Sequence, residues 1–300
     1  MNARIRWIVC ALTLALGPGA AEAQEGPEAV WQQPWLAHLN HLRALAGVPP
    51  LRLIPVLAQV AQQQAAEMAA GAWRRPPSAA VVSERLRRVG YTAHDWREDF
   101  LILEADFETS LSKWRRTKNF QEALEGRFRD FGVGRALIQG IPFYVVLFGQ
   151  HKGDFFSRAT ANLHDRETVV AEMLARVNAI RRQAGLLPLH YDPLLDRTAQ
   201  EHAEDMLARS YFGHSSLEGQ GPSERARANG YPIGAGENIV EQRFSVDEAL
   251  EAWLKSPGHR QNILDPDSRD LGIGLAVGEG YDAAPGGYRV IWIQNFGRGR

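Results

Sequence analysis

The strongest constraint on this chain is that it repeats itself. Residues 40–76 (NHLRALAGVPPLRLIPVLAQVAQQQAAEMAAGAWRRP) and 178–214 (NAIRRQAGLLPLHYDPLLDRTAQEHAEDMLARSYFGH) align without a gap at a constant offset of 138. Thirteen of the 37 pairs are identical, among them Asn40/Asn178, Gly47/Gly185, Pro55/Pro193, Ala61/Ala199 and Met68/Met206, where chance gives roughly one in fifteen for ordinary composition. SERLRRVGY (83–91) then matches SERARANGY (223–231), Trp114 matches Trp253, and DFGVG (130–134) matches DLGIG (270–274). A chain of 300 residues accommodates two modest domains, and the repeat divides it into a first unit at 30–150 and a second at 168–300, joined by 151–167, a segment with little periodicity of its own.

The patterning of both units predicts helices first and strands last. In the second unit a helix over 168–184 stops at Gly185. A second helix starts at Asp192 with Pro193 in its first turn and carries the apolar stripe Leu195, Ala199, Ala203, Met206. A third opens with Ser245-Val-Asp-Glu248, a capping-box pattern, and carries Ala249, Leu250 and Trp253. Two strands follow, 271–277 and 288–296, joined by the Gly/Pro-rich GEGYDAAPGG. This order predicts an α+β fold, duplicated in tandem.

Residues 1–23 read as an export leader: Arg4 and Arg6, an apolar run from Trp7 to Leu16, and a small-x-small end at Ala21–Ala23. The run is too short to span a bilayer, so no transmembrane segment is expected. The single cysteine, Cys10, lies inside the leader. The mature protein is therefore expected to be secreted or periplasmic, with neither a disulfide nor a thiol nucleophile. A net charge of −1 offers no field for nucleic acid.

Five features of the second unit can carry chemistry. His214 (in YFGHSS) and His259 (in SPGHRQNIL) each follow a glycine and read as loop residues just outside helices. Two imidazoles with a carboxylate can hold a divalent ion such as zinc, or can be hydrogen-bonded structural groups. Glu237, in GENIV, can act as a base, orient a histidine, or clamp a loop; Asn238 beside it reads more simply as a loop clamp. His202 lies on the apolar stripe and reads as a satisfied core histidine or as a cleft group. Arg260 can bind an anion beside His259 or bond the preceding loop.

The repeat provides an internal control. His214 aligns with Pro76, His259 with Phe120 and His202 with Gln64; Glu237 falls near Glu98 in WREDF, without the flanking glycine and asparagine. Core positions persist while this polar set is lost. That pattern favours a shared functional role for the two histidines in the second unit, with the first unit as a scaffold. The basic cluster KWRRTK (113–118) of the first unit is either a solvated helix face or a surface for a protein partner.

YFGHSS, GENIV, AWLKSPGHRQNIL, LGIGLAV and WIQNFG occur in an order and at intervals that resemble the CAP superfamily (cysteine-rich secretory proteins, antigen 5 and pathogenesis-related proteins), in its bacterial SCP-like branch. The resemblance covers 170–297 and is degenerate over 35–150. It implies an α-β-α sandwich with a central antiparallel sheet and an open cleft, lined by His214, His259 and Glu237, that can hold a divalent metal. The family's second acid, three residues after the helix tryptophan, is Ser256 here. The leading reading is a binding module that takes a small molecule, lipid or peptide. The alternatives are a metal-dependent hydrolase with Glu237 as base and an interaction scaffold acting through the first unit.

Overall fold

The computed structural model describes residues 32–71, 76–102, 111–112, 114–279 and 287–299. Residues 1–23, expected to be an export leader, and residues 280–286 lie outside the described residues. The chain forms two compact units, Met1–Phe155 and Phe156–Arg300. The first contains α1 (Gln32–Leu45), β1 (Arg52–Leu53), α2 (Pro55–Ala69), α3 (Ala79–Arg88), β2 (Ala93–Ile102), α4 (Lys118–Ala123), β3 (Asp130–Ile138) and β4 (Ile141–His151). A helix, α5 (Lys152–Ala159), forms in the joining segment, which has little periodicity of its own. The second contains α6 (Arg166–Gln183), β5 (His190–Tyr191), α7 (Pro193–Ala208), α8 (Pro222–Ala228), β6 (Gly236–Glu241), α9 (Val246–Lys255), α10 (Pro257–Ile263), β7 (Asp270–Glu279) and β8 (Tyr288–Gly297).

Each unit is built on a four-stranded sheet of the same topology, β1-β3-β4-β2 and β5-β7-β8-β6. The three long strands pair antiparallel, and the two-residue strand at one edge pairs parallel. Helices cover both faces. In the first unit one core joins Trp35, Leu39, Trp114, Phe131 and Phe148; another joins Leu57, Ala61, Val82, Leu86 and Val145. The second unit repeats this, with Trp253, Ile273 and Trp292 in one core and Ala199, Ala203, Met206 and Ile293 in another.

The expected helix signals operate as their chemistry requires. Asp192 accepts hydrogen bonds from the Leu194 and Leu195 amides, with Pro193 at the first helical position. Gly185 takes φ +74°, the left-handed conformation that closes α6. Ser245 accepts from the Glu248 amide, and Glu248 returns a bond to the amide of Phe244 rather than to Ser245 itself.

Polar clamps recur in both units. Asn40 and Asn178 each bond the backbone of a leucine eleven residues on, Leu51 and Leu189, through both amide atoms. Arg43 and Arg181 are fully buried. Arg181 donates to the carbonyls of Leu187, Ile263, Asp265 and Ser268, and Arg43 to those of Pro49, Glu125 and Phe128. Tyr91 and Tyr231 bond Asp130 and Asp270 at 2.8 and 2.7 Å.

Two sequence expectations are corrected. GENIV is no loop: it forms β6, an edge strand paired with β8. Glycine, glutamate and asparagine are all depleted in strands, and here pairing with the buried β8 overrides that preference. His259 is no loop residue either. Ser-Pro-Gly opens α10, with Ser256 as N-cap and Pro257 at the first position, so His259 is the third residue of that helix.

Packing between α7 and β7 leaves no room for side chains at two strand positions. A Cβ on Gly272 would come within 2.1 Å of the Leu195 backbone, and one on Gly274 within 2.2 Å of Ala199. Gly132 and Gly134 meet Leu57 and Ala61 of α2 in the same way, at 2.4 and 2.2 Å. Gly272→Ala is expected to destabilise the protein by about 1–3 kcal/mol through overpacking. Gly258→Ala, where nothing lies within 4 Å of the added Cβ, is expected to cost nothing. Thermal unfolding of the two variants checks this, and equal midpoints would contradict the packing account.

Candidate functional site

The site is organised by a buried carboxylate. Glu237 lies on β6, its side chain 1% exposed. One oxygen, Oε2, accepts from Nη2 of Arg225 at 2.6 Å, and Oε1 is 2.9 Å from Nδ1 of His214. A carboxylate bound to an arginine can only accept, so Nδ1 of His214 carries the proton and Nε2 of the neutral ring is left with its lone pair. Arg225, on α8, also donates from Nη1 to the carbonyls of His214 (2.8 Å) and Gln220 (2.6 Å). One guanidinium therefore fixes both the carboxylate and the backbone of the loop that carries the imidazole.

His202, on α7, supports the same loop. Its Nε2 donates to the carbonyl of Gly213 at 3.0 Å. Tyr211 donates its hydroxyl to Asp205 and lies 3.4 Å from Nδ1 of His202. Burial first, then the nearby Arg225 charge, holds His202 below the ordinary imidazole range. His202 is thus a satisfied, buried histidine that also positions His214.

The other strand of the site runs through Asn238. Its Nδ2 donates to the carbonyl of His259 (3.1 Å) and to Oε1 of Gln294 (3.2 Å). Asn262 donates to Oδ1 of Asn238 (2.9 Å) and to the Glu237 carbonyl (3.2 Å). These amides tie α10, and with it His259, to the strand that bears Glu237. Burial lowers the His259 pKa, and the charge of His214 lowers it further. The two imidazoles therefore lie within electrostatic reach of each other. The hydrogen bond to Glu237 raises His214 above its ordinary range.

Arg260 stands apart. Its backbone amide donates to the Ser256 carbonyl at 2.9 Å, while its guanidinium makes no hydrogen bond to the preceding loop among the described residues. Instead it lines a groove of about 370 Å³ with Leu254, Lys255, Pro257, Gln261 and Leu264, which contains none of the other site residues. Ser256 occupies the joint between α9 and α10.

Among the described residues no three His, Cys, Asp or Glu side chains converge to hold an ion. The residues that could hold an ion are the two imidazoles, with Glu237 behind His214 as the partner that would orient it. Water would have to complete the coordination.

The sequence reading missed Arg225, Asn262, Gln294 and Asn295. Arg225 lies in the SER segment shared by both units, so the repeat does not single it out. Asn295 faces Glu237 across the β6–β8 pair, and neither of its buried amide atoms has a hydrogen-bond partner. The register bears out the alignment of Glu237 with Glu98, and it corrects the reading that the whole polar set is lost from the first unit. Glu237 pairs with Asn295, two residues before the Gly297 that pairs with Asp270; Glu98 pairs with Leu147, two residues before the Gly149 that pairs with Asp130. Glu98 is therefore the register equivalent of Glu237. The first unit kept the carboxylate and, in Arg85, the arginine. It lost the imidazoles.

A family model described as the cysteine-rich secretory protein family, CAP, matches residues 36–148 and again 174–296. The chain belongs to the CAP family. The Bacillus subtilis (strain 168) protein YkwD is 37% identical over 120 residues, which is 40% of this chain and 43% of that protein. The membrane protein YlbC of the same strain is 34% identical over 105 residues, 35% of this chain and 30% of that protein. These matches span less than half the length of either relative. Among solved structures, an extracellular SCP-domain protein from Bacillus anthracis str. Ames is 20% identical, with 72% of this chain and 70% of that one covered and a TM-score of 0.40. Both matches to the CAP model thus fall on sheets of one topology, and the repeat is a CAP tandem.

The Glu237–His214 bond predicts how the site titrates. A folded-state pKa raised above the unfolded value contributes stability that is present below the ordinary imidazole pKa and lost as pH rises through the folded one. In Glu237→Gln the acceptor charge is gone, and the His214 titration midpoint is expected to fall to or below the ordinary value. Histidine ring NMR titration of the two proteins checks this; an unchanged midpoint would contradict the assigned bond.

Proposed function

We propose that this CAP protein is an exported binding module whose second unit holds a divalent ion, zinc or one of similar preference, between His214 and His259, with a small molecule, lipid or peptide as the cleft ligand. The observation that carries this reading is the engagement of Glu237. Both of its oxygens are bonded, one to Arg225 and one to His214. A carboxylate in that position orients an imidazole and leaves the opposite ring nitrogen free to ligate. Two protein ligands give a modest affinity, and binding requires both rings neutral. Export rests on the leader pattern of residues 1–23; none of the described helices is long and apolar enough to cross a membrane.

The hydrolase reading requires more of Glu237. To take a proton from water it would have to leave the guanidinium of Arg225, at 2.6 Å, in a buried setting. Removing one partner of such a pair costs about 3–5 kcal/mol. The binding reading is therefore preferred.

Calorimetric titration with zinc is expected to give heat in the wild type and none in His214→Ala. Equal heats would overturn the ion site. Turnover of a peptide library that disappears both with a chelator and in Glu237→Gln would replace the binding reading with the hydrolase.

A further inference from the structure

The first unit retains the carboxylate of the site without its partners. In the second unit Arg225 donates to Glu237 at 2.6 Å. In the first, the equivalent Arg85 of α3 donates instead to Glu67 of α2, at 2.7 Å. Glu98 is left with neither oxygen hydrogen-bonded, although both are shielded from solvent. Gln64, which stands where the second unit has His202, lies near enough to act on Glu98, but neither of its buried amide atoms reaches hydrogen-bond geometry.

Among the described residues, four charged or polar groups bear on Glu98. α2 presents Gln64, α3 presents Arg85 with Glu67 beyond it, and β2 itself carries Asp99, which accepts from Trp114 Nε1 at 2.6 Å. Across the pair, β4 presents Leu147, an apolar residue, where the second unit has Asn295. A carboxylate sealed in this setting without a hydrogen bond is costly, whereas the neutral acid is not. Burial, aided by Asp99 and opposed by Gln64 and Arg85, raises the Glu98 pKa to about 8.

We propose that Glu98 is a proton switch in the first unit: it is uncharged at neutral pH while Arg85 is held by Glu67, and on releasing its proton to solvent it draws Arg85 across to form the pair that the second unit makes permanently. The two arginine partners, Glu67 on α2 and Glu98 on β2, give the side chain two alternative anchors. Moving between them changes how α3 is tied to the rest of the unit. The device is independent of the ion site and uses none of its residues.

Stability carries the sign of the switch. The unfolded chain loses the Glu98 proton near the ordinary value of 4.5, and the folded protein keeps it to about 8. Across that window the folded state binds more protons, so the stability of the first unit falls as pH rises.

The test is a pH titration of the full chain with carboxyl-labelled glutamate, followed by NMR. One glutamate carbon is expected to titrate near pH 8, and its signal is expected to vanish in Glu98→Gln. In Glu67→Gln, which releases Arg85 toward Glu98, the midpoint is expected to fall by a full pH unit or more. Failure of every glutamate to titrate above about pH 6 would overturn the proposal. An unmoved midpoint in Glu67→Gln would overturn the exchange of Arg85. Amide exchange on β3 and β4 reads the first unit alone: Glu98→Gln is expected to flatten the loss of protection with rising pH, and an unchanged slope would also overturn the proposal.

Discussion

The rest of each unit depends on a helix lying flush on its sheet. In the second unit the backbone of α7 at Leu195 and Ala199 comes so near β7 that glycine alone fits at 272 and 274. The same contact recurs at Gly132 and Gly134. With α7 seated this closely, His202, one turn beyond Ala199, is buried at the base of the loop that carries His214, where its ring holds the Gly213 carbonyl. The site is then closed by Arg225, which bonds the His214 backbone and Glu237 together. Packing fixes the frame, and one buried ion pair fixes the imidazole within it.

Duplication turned one site into two different devices. Both units keep the edge-strand glutamate and the arginine of the SER segment. In the second unit the arginine, the glutamate and His214 form one chain of bonds that leaves a ring nitrogen for a ligand. In the first unit proline and glutamine stand at the aligned positions of His214 and His202, and the arginine turned to another acid. The buried polar network became partly unsatisfied, a costly state unless the acid is neutral.

Much of the scaffold was legible in the sequence because the physics is local and repeated. Asp192-Pro193 and Gly185 declared helix ends through capping and the left-handed turn, and the stripe from Leu195 to Met206 declared its buried face. The histidine pair stood out because the first copy lacks it. What could not be read was non-local. GENIV has the composition of a loop, and only its pairing with β8 makes it a strand. Ser-Pro-Gly has the composition of a turn, yet Pro257 sits at the one helical position that tolerates it, placing His259 inside α10. Arg225 was hidden by its own retention: a residue kept in both copies reads as structural, and here the same arginine serves a site in one unit and a surface-proximal pair in the other.

The second unit therefore presents two imidazoles, one raised and one lowered in pKa, each held by a different part of the fold: His214 by Glu237 and Arg225, His259 by Asn238 and Asn262 through α10. The most direct measurement is anomalous diffraction at the zinc edge from crystals grown with zinc. A peak bonded to Nε2 of His214 and to the His259 ring, with water completing the shell, is expected, and so is its loss in His214→Ala. A site without that peak, or a peak that persists in His214→Ala, would contradict it.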